Sequence, residues 1–306
     1  MTVLESLQLS TDFLEKKGIE SPRLNAELLL SEILKCKRLD LYLKFDQPLK
    51  ENEVGIYREW IARRGKFEPL QYIIGNVEFY GLPFKVTPNV LIPRPETEIL
   101  VETVINMINK KSSVIPIPIH RERNLKDFSP ALPDRNDKIN ILDIGTGSGN
   151  ISISLAKNLD NVEIIAIDIS ESALSIAREN AVANGVEEKI QFISADVKHY
   201  MCGNQFDVIV SNPPYVSNEE YPNLQNEILN YEPMIAVTDS NDGLDLYRTI
   251  AERAKILLKS NGKIFLEVGK DQSKYVVDIL EKNDFVNIYF VKDYQQIDRV
   301  VVGELK

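Results

Sequence analysis

The sequence predicts an α/β fold: a mostly parallel sheet covered by helices, preceded by a small helical domain and a β-hairpin linker. Three observations carry that expectation. From Ile139 onward, short β-branched and apolar runs alternate with helix-length segments, the pattern of βα units feeding a parallel sheet. Residues 1 to about 68 read as helices, with apolar positions near helical spacing. Between these regions, Gln71 to Val90 is rich in β-branched and aromatic residues and is punctuated by Gly75-Asn76 and Gly81-Leu82-Pro83. The expected domains are therefore residues 1–70, a hairpin linker over 71–90, and an α/β domain over 91–306.

In the first domain, Leu4, Leu7, Phe13 and Leu14 mark a helix that stops near Gly18. Ser21-Pro22 reads as the N-cap and first position of a second helix, Arg23 to Lys35, with Leu24, Leu28, Leu30, Ile33 and Leu34 on its apolar side. A third helix is expected over Glu51 to Arg64, with Ile56, Trp60 and Ile61 inward. After the hairpin, Leu91 to Glu98 carries Pro93 and Pro95 just ahead of a helix running to about Ile108. Residues 109–138 hold Pro116, Pro118, Pro130 and Pro133 among mixed charges, without apolar periodicity, and read as a mobile surface insertion.

The α/β domain is regular. Strands are expected at Ile139–Ile144, Val162–Ile167, Ile190–Ser194, Phe206–Ser211 and Lys263–Val268, and helices at Asn150–Asn158, Glu171–Asn184, Asp242–Ser260 and Gln272–Asn283. Two last strands, Phe285–Val291 and Arg299–Gly303, follow each other without a helix, so their pairing should be antiparallel.

At 306 residues and 43% hydrophobic composition the chain can fill about two globular cores. A net charge of −10 and a pI near 5.0 argue against broad binding to a phosphate backbone. Cys36 and Cys202 lie far apart and only His120 and His199 supply imidazole, so neither a disulfide nor a metal site is expected. Met1 to Leu9 lacks a basic segment leading into an apolar core, and no apolar run reaches membrane-spanning length. The expected compartment is the cytoplasm, with no membrane association.

Chemistry is concentrated at the ends of the expected strands. Asp143-Ile144-Gly145-Thr146-Gly147-Ser148-Gly149 closes the first, where glycines let the backbone turn tightly and approach a ligand. The second ends in Asp168, a carboxylate suited to ribose hydroxyls. The third ends at Asp196-Val197, where an acid can accept from an adenine amine; a helix cap is the alternative reading for this residue. Together they imply a nucleoside cofactor. A dinucleotide would call for Gly-x-Gly-x-x-Gly, whereas Gly145, Gly147 and Gly149 stand in Gly-x-Gly-x-Gly register.

The fourth strand runs into Asn212-Pro213-Pro214-Tyr215. Two prolines forbid helix and ladder and leave a stiff turn whose carbonyls are open to acceptance. The Asn212 side-chain oxygen and the Pro213 carbonyl can take both N–H bonds of a planar –NH2 group, with Tyr215 offering a ring face. The bland reading is a loop in which two prolines end a strand.

The Gly-x-Gly-x-Gly register resembles the S-adenosylmethionine loop of class I methyltransferases, whose Rossmann-like domain carries a seven-stranded, mostly parallel sheet. That resemblance gives Asp143 a place near the methionine ammonium, Gly145, Thr146, Gly147, Ser148 and Gly149 the cofactor turn, Asp168 the ribose, and Asp196 with Val197 the adenine. Asn-Pro-Pro-Tyr occurs in enzymes of this class that methylate planar nitrogens. Leu-Ile-Pro-Arg-Pro-Glu-Thr-Glu at Leu91 to Glu98, the helical first domain, Glu232-Pro233, and Asp293-Tyr294 leading to Arg299-Val300 single out one branch. The chain is similar to the HemK/PrmC family, the release factor glutamine N5-methyltransferases. Residues 109–138 depart from that pattern.

The resemblance implies methyl transfer from S-adenosylmethionine to the glutamine amide in the Gly-Gly-Gln loop of class I peptide chain release factors. It implies no metal, and a protein rather than a nucleic acid as partner. Asn212, Pro213, Pro214 and Tyr215 would form the catalytic turn, with Asn212 also bordering the cofactor. An adenine-directed DNA or RNA methyltransferase is the alternative reading, and a ligand sensor that kept the cofactor fold is a non-enzymatic one.

Overall fold

The computed structural model describes residues 1–109, 138–203 and 205–306, together with the backbone of 117 and 118. The insertion expected at residues 109–138 therefore lies almost wholly outside the described residues. The chain divides into two compact units. One takes Met1–Asn76 together with Leu224–Glu232; the other takes Val77–Asn223 and Pro233–Lys306.

The helical unit contains α1 (Val3–Lys16), α2 (Pro22–Ile33), a 3-10 turn at Arg38–Lys44, α3 (Glu51–Arg64) and α4 (Leu70–Ile74). Thr2 and Glu5 close a reciprocal cap on α1, with Thr2 N–H donating to Glu5 Oε2 at 2.8 Å and Glu5 N–H donating to Thr2 Oγ1 at 3.2 Å. The core joins Leu7, Leu14, Leu29, Leu30, Leu41, Tyr57 and Ile61.

Three local expectations need correction here. The buried face of α2 is Ala26, Leu29 and Leu30, while Leu24 is 40% exposed. A step of about 100° per residue puts Leu24 on the side opposite Ala26, and the unbroken run Leu28-Leu29-Leu30 hides that phase in the sequence. In α3 the buried face is Tyr57, Ile61 and Arg64, with Ile56 exposed. Ser21 does precede α2, but in the left-handed region and without a side-chain cap.

Glu27 is buried because three donors meet it: Arg23 Nε at 2.7 Å, Arg38 Nη1 at 3.0 Å and the Tyr42 hydroxyl at 2.8 Å. These bonds hold its carboxyl below the usual range, although burial alone would raise it. Arg64 is also buried, sharing its guanidinium among Asn25 Oδ1, the Glu68 carbonyl and the Glu227 carboxylate on α8 (Asn226–Tyr231).

The hairpin is shorter than expected. Tyr72 to Ile74 belong to α4, and only β1 (Asn76–Phe79) and β2 (Leu82–Lys85) pair, around a tight turn at Tyr80 and Gly81, both at positive φ. Two left-handed residues match the twist of a hairpin, and the N–H of Tyr80 is taken by Glu98 Oε1 at 2.7 Å. Glu98 lies in the first turn of α5 (Thr97–Ile108).

The sheet unit follows the expected alternation closely. Its strands are a two-residue β3 (Ile117–Pro118), β4 (Ile139–Ile144), β5 (Val162–Asp168), β6 (Ile190–Ser194), β7 (Phe206–Ser211), β8 (Leu258–Glu267), β9 (Phe285–Lys292) and β10 (Asp298–Leu305). Their order across the sheet is β6-β5-β4-β7-β8-β10-β9-β3. The first five are parallel neighbours, whereas β10 is antiparallel to both β8 and β9. Seven strands thus form the mostly parallel sheet, and β3 adds a short antiparallel edge against β9.

Four helices complete the layers: α6 (Asn150–Asn158), α7 (Glu171–Asn184), α9 (Asp245–Leu257) and α10 (Ser273–Lys282). The two faces bury separate clusters, one around Leu100, Val104, Ile141, Ile153 and Val210, the other around Leu142, Ile209, Tyr247, Leu266 and Val301. All six residues of β7 are buried, as a central parallel strand covered on both faces requires.

Helix α9 starts later than expected. The Asp239 carboxylate accepts from the N–H groups of Asn241 at 2.8 Å, Gly243 at 3.0 Å and Asp245 at 2.9 Å, which holds this stretch as a loop. The helix also stops sooner, since Leu258 already starts β8.

Candidate active site

The expected site residues converge on one edge of the sheet because β6, β5, β4 and β7 are consecutive parallel neighbours. In register, Ile144 pairs with Ile167 on one side and Ser211 on the other, and Asp168 pairs with Ser194. The Gly-rich turn after β4, Asp168, Asp196 and Asn212 therefore all leave carboxyl ends of adjacent strands. That crevice is where open α/β sheets bind ligands.

The turn from Gly145 to Gly149 is built for close approach. Gly145, Gly147 and Gly149 all have positive φ, and a Cβ added to Gly145 or Gly147 would meet no atom within 4 Å. Gly149 is different: a Cβ there would lie 2.9 Å from Ile153 Cδ1 and 3.2 Å from Ala177 Cβ, so its role is to let α6 pack on α7. Gly145 and Thr146 donate their N–H groups to the Ile167 carbonyl at 2.9 and 3.1 Å. Ser148 is buried, and its carbonyl accepts from Asn180 Nδ2 at 2.9 Å. The same Asn180 bonds the backbone of Lys85 in both directions, at 2.7 and 3.1 Å, so one side chain joins the turn to β2.

Asp143 is wholly buried. Its Oδ2 accepts from Thr146 Oγ1 at 2.7 Å and from Ser152 Oγ, while Oδ1 has no hydrogen bond among the described residues. Burial pushes its carboxyl up to about 6, against the pull of those two hydroxyls. A buried acceptor with an unused lone pair, beside glycines that open onto empty space, suits a ligand carrying an ammonium group.

Asp168 is held by the turn itself. Its Oδ2 accepts from Gly147 N–H and its Oδ1 from Ser170 N–H, both at 2.9 Å. Burial raises its pKa against these bonds. Each oxygen keeps a second lone pair, which is what a pair of ribose hydroxyls needs.

Among the described residues no helix follows Asp196 before β7, so the helix-cap alternative does not hold; the residue fixes a turn at 197–199 instead. Its Oδ1 accepts from Lys198 N–H at 2.9 Å, and its carbonyl takes the N–H groups of His199 and Tyr200. It also lines a cleft of about 660 Å³ with Ile165, Ile193, Ala195, His199 and Tyr200. That cleft contains none of the Gly-rich turn or of Asn212 to Tyr215, so it is not the reaction centre by itself. Val197 is buried in the core beside it.

Asn212 follows the last residue of β7, with Nδ2 donating to Thr97 Oγ1 at 3.1 Å. Pro213 is buried and Pro214 half-buried, in a turn without cis peptides. The Tyr215 carbonyl accepts from Gln272 Nε2 at 2.9 Å, and Gly243 packs against it so closely that a Cβ would come within 2.4 Å. Burial pushes the Tyr215 phenol up to about 12. Behind it lies Glu267, the last residue of β8, 2% exposed. It bonds to Thr97, and its Oε2 has no partner among the described residues. Glu267, Gln272 and Asn180 were not singled out in the sequence, and Thr97 stood in the Leu91 to Glu98 motif without a role of its own. Among the described residues no group of three or more His, Cys, Asp or Glu is placed to hold a metal.

Comparison with known proteins shows the family. The family model described as the PrmC N-terminal domain matches residues 5–75, and that described as the methyltransferase small domain matches residues 128–233. The release factor glutamine methyltransferase of Fusobacterium nucleatum is 38% identical over 98% of this chain and 78% of its own length. The protein of the same name from Geobacter sulfurreducens is 35% identical over 99% of this chain and 97% of its own. A bifunctional methyltransferase of Rickettsia felis is longer; this chain spans 58% of it at 39% identity. Among solved structures, the hMettl16 catalytic domain in complex with the MAT2A 3′UTR hairpin 6 superposes with a TM-score of 0.55 over 84% of this chain and 83% of that one, at 15% identity, a likeness of fold.

Proposed function

The chain belongs to the release factor glutamine methyltransferase family, and from that premise we propose that it methylates the side-chain amide of the glutamine in the Gly-Gly-Gln loop of class I release factors. The observation that carries this reading is the fixed turn at Asn212 to Tyr215, anchored on one side by Thr97 and on the other by Gln272, at the strand next to the Gly-rich turn.

S-adenosylmethionine, when bound, supplies a methyl group on a cationic sulfur. In this reading Asp143 Oδ1 would meet the ammonium of its methionine part, the turn from Gly145 to Ser148 would line it with Gly149 closing the turn onto α7, and Asp168 would take the ribose hydroxyls. Asp196 and Val197 would border the adenine. An amide nitrogen is a poor nucleophile because its lone pair is delocalised into the carbonyl. The Asn212 side-chain oxygen and the Pro213 carbonyl would accept its two N–H bonds, holding the lone pair toward the donor and easing pyramidalisation. Tyr215 would pack on the substrate side, where a ring face also favours a nearby cation.

The helices of residues 1–70 are proposed to recognise the release factor, since selecting one glutamine in a large partner needs contact area beyond the reacting centre. No helix among the described residues is long and apolar enough to cross a membrane, which fits a partner in solution in the cytoplasm.

Labelled-methyl transfer tests the proposal with intact release factor, its Gln→Ala variant, and DNA or RNA in parallel. Label is expected in the intact factor alone. Label in nucleic acid, or undiminished label in the Gln→Ala protein, would overturn it. Asn212→Ala should lower turnover by about 10²–10³-fold, while cofactor affinity should fall far less.

A further inference from the structure

We propose that Thr97 and Glu267 are positioning residues that fix which corner of the Asn212 amide faces the substrate. The proposal rests on the reading of Asn212 given above and adds residues that the reading does not use.

An asparagine amide is nearly symmetric in shape, and rotating it by half a turn exchanges an acceptor for a donor. If Asn212 is to accept from a substrate –NH2, its oxygen must be presented and its nitrogen committed elsewhere. The structure commits the nitrogen: Nδ2 donates to Thr97 Oγ1 at 3.1 Å. Thr97 is buried, and its hydroxyl also bonds the Glu267 carboxylate. A carboxylate has no proton to give, so the single Thr97 proton points to Glu267 and the hydroxyl turns a lone pair to Asn212. Only the –NH2 corner of the amide fits there.

The placement is inherent in the sheet. Ser211 pairs with Leu266, so Asn212, the first residue past β7, lies level with Glu267, the last residue of β8, and Thr97 opens α5. Glu267 is otherwise hard to justify. It is an acid in the core with one oxygen left without a hydrogen bond, an arrangement that opposes folding. Its backbone carbonyl takes the Tyr247 hydroxyl at 2.8 Å, which any residue there would do.

Protonation should reverse the relay. A neutral Glu267 can donate to Thr97, whose proton then turns toward Asn212 and calls for the oxygen corner, leaving a donor aimed at the substrate. The charged and titratable groups facing Glu267 are Glu96 and Arg94 ahead of α5, Arg299 on β10, Tyr215 in the turn and Tyr247 on α9. Burial is the largest influence and lifts the carboxyl to about 7, with Glu96 adding to it and Thr97, Arg299 and Arg94 opposing it.

The test compares the full-length protein with Thr97→Val, Thr97→Ser, Glu267→Gln and Asn212→Ala, using intact release factor as substrate and measuring kcat, KM, cofactor affinity and the pH profile of kcat. Thr97→Val should lower kcat by about 10–100-fold with KM and cofactor affinity nearly unchanged, and Thr97→Ser should restore it to within a few-fold. Glu267→Gln should lower kcat and abolish the fall in activity on the acid side. Retained cofactor affinity reports that each variant is folded. If Asn212→Ala is inactive while Thr97→Val matches the parent and Glu267→Gln keeps the acid-side fall, the relay is overturned and the reading of Asn212 stands. If Asn212→Ala matches the parent, that reading fails and the relay with it.

Discussion

Gln272 holds Tyr215 by its backbone: Nε2 donates to the Tyr215 carbonyl at 2.9 Å while Oε1 accepts from Gly269 N–H at 3.1 Å. One side chain thus ties the proline turn after β7 to the loop after β8. Gly243, at φ +78°, packs beside the same contact: a Cβ there would stand 2.4 Å from that carbonyl and 3.1 Å from Gln272 Nε2. The Tyr215 carbonyl is thus held by residues that offer nothing to the chemistry themselves.

Gly243→Ala should therefore displace the turn, and a misplacement near 1 Å costs about 10²-fold in turnover. Gln272→Ala removes two hydrogen bonds, one of them to the turn, without intruding, so about tenfold is expected. Cofactor affinity should survive both, since neither touches the Gly145–Gly149 turn. Steady-state kinetics with calorimetry of cofactor binding separates the effects; equal losses from the two variants would refute the steric argument.

None of that bracing was legible in the sequence. Asn212, Asp168 and the glycine turn were readable because each ends a short apolar run, and strand limits such as Phe206–Ser211 are marked by an Asn, Asp or Gly on the spot. Thr97 is 115 residues from Asn212 and Gln272 is 57 from Tyr215, and no local pattern announces such a pair. Only the sheet order brings β8 beside β7. Helix faces failed for a different reason: consecutive leucines in α2 satisfy several phases of a 3.6-residue period, and the fold chooses among them.

Asp143 should make cofactor binding weaken in acid. Its carboxyl sits at about 6 in the free protein, and pairing Oδ1 with an ammonium requires the ionised form. At pH 7.5 the group is already ionised, whereas at pH 5.5 binding must expel a proton, and affinity should be about fourfold lower. Asp143→Asn should bind less tightly at pH 7.5 and lose this dependence. The same shift acts on folding with a fixed sign. An acid with a folded-state value above its unfolded one stabilises less as pH rises, so Asp143 favours the fold most below about 4, and that contribution is gone above about 6. Calorimetry at the two pH values checks the binding claim; a slope that persists in Asp143→Asn would assign it to another group.

The last prediction concerns the helical unit, which includes Leu224–Glu232 although the sheet unit's chain surrounds that segment on both sides. Arg64 is the reason available in side chains. Its guanidinium reaches Asn25 Oδ1 at 2.7 Å, the Glu68 carbonyl at 3.0 Å and the Glu227 carboxylate, and the Tyr231 hydroxyl donates to the Lys66 carbonyl at 2.9 Å. Arg64 is buried and Glu227 only partly so. Arg64→Ala leaves Asn25 and a carbonyl without their donor and removes a buried fork, so a loss of about 3 kcal/mol is expected. Glu227→Gln keeps an acceptor at a half-open position and should cost about 1 kcal/mol or less. Because the cofactor turn and Asp168 belong to the other unit, S-adenosylmethionine affinity should be unchanged in both variants. Denaturant unfolding followed by helix signal, with hydrogen exchange resolving residues 1–76 and 224–232, measures the effect. Equal losses in the two variants, or faster exchange in the sheet strands than in these helices, would show that Arg64 does not hold the segment in the way its contacts indicate.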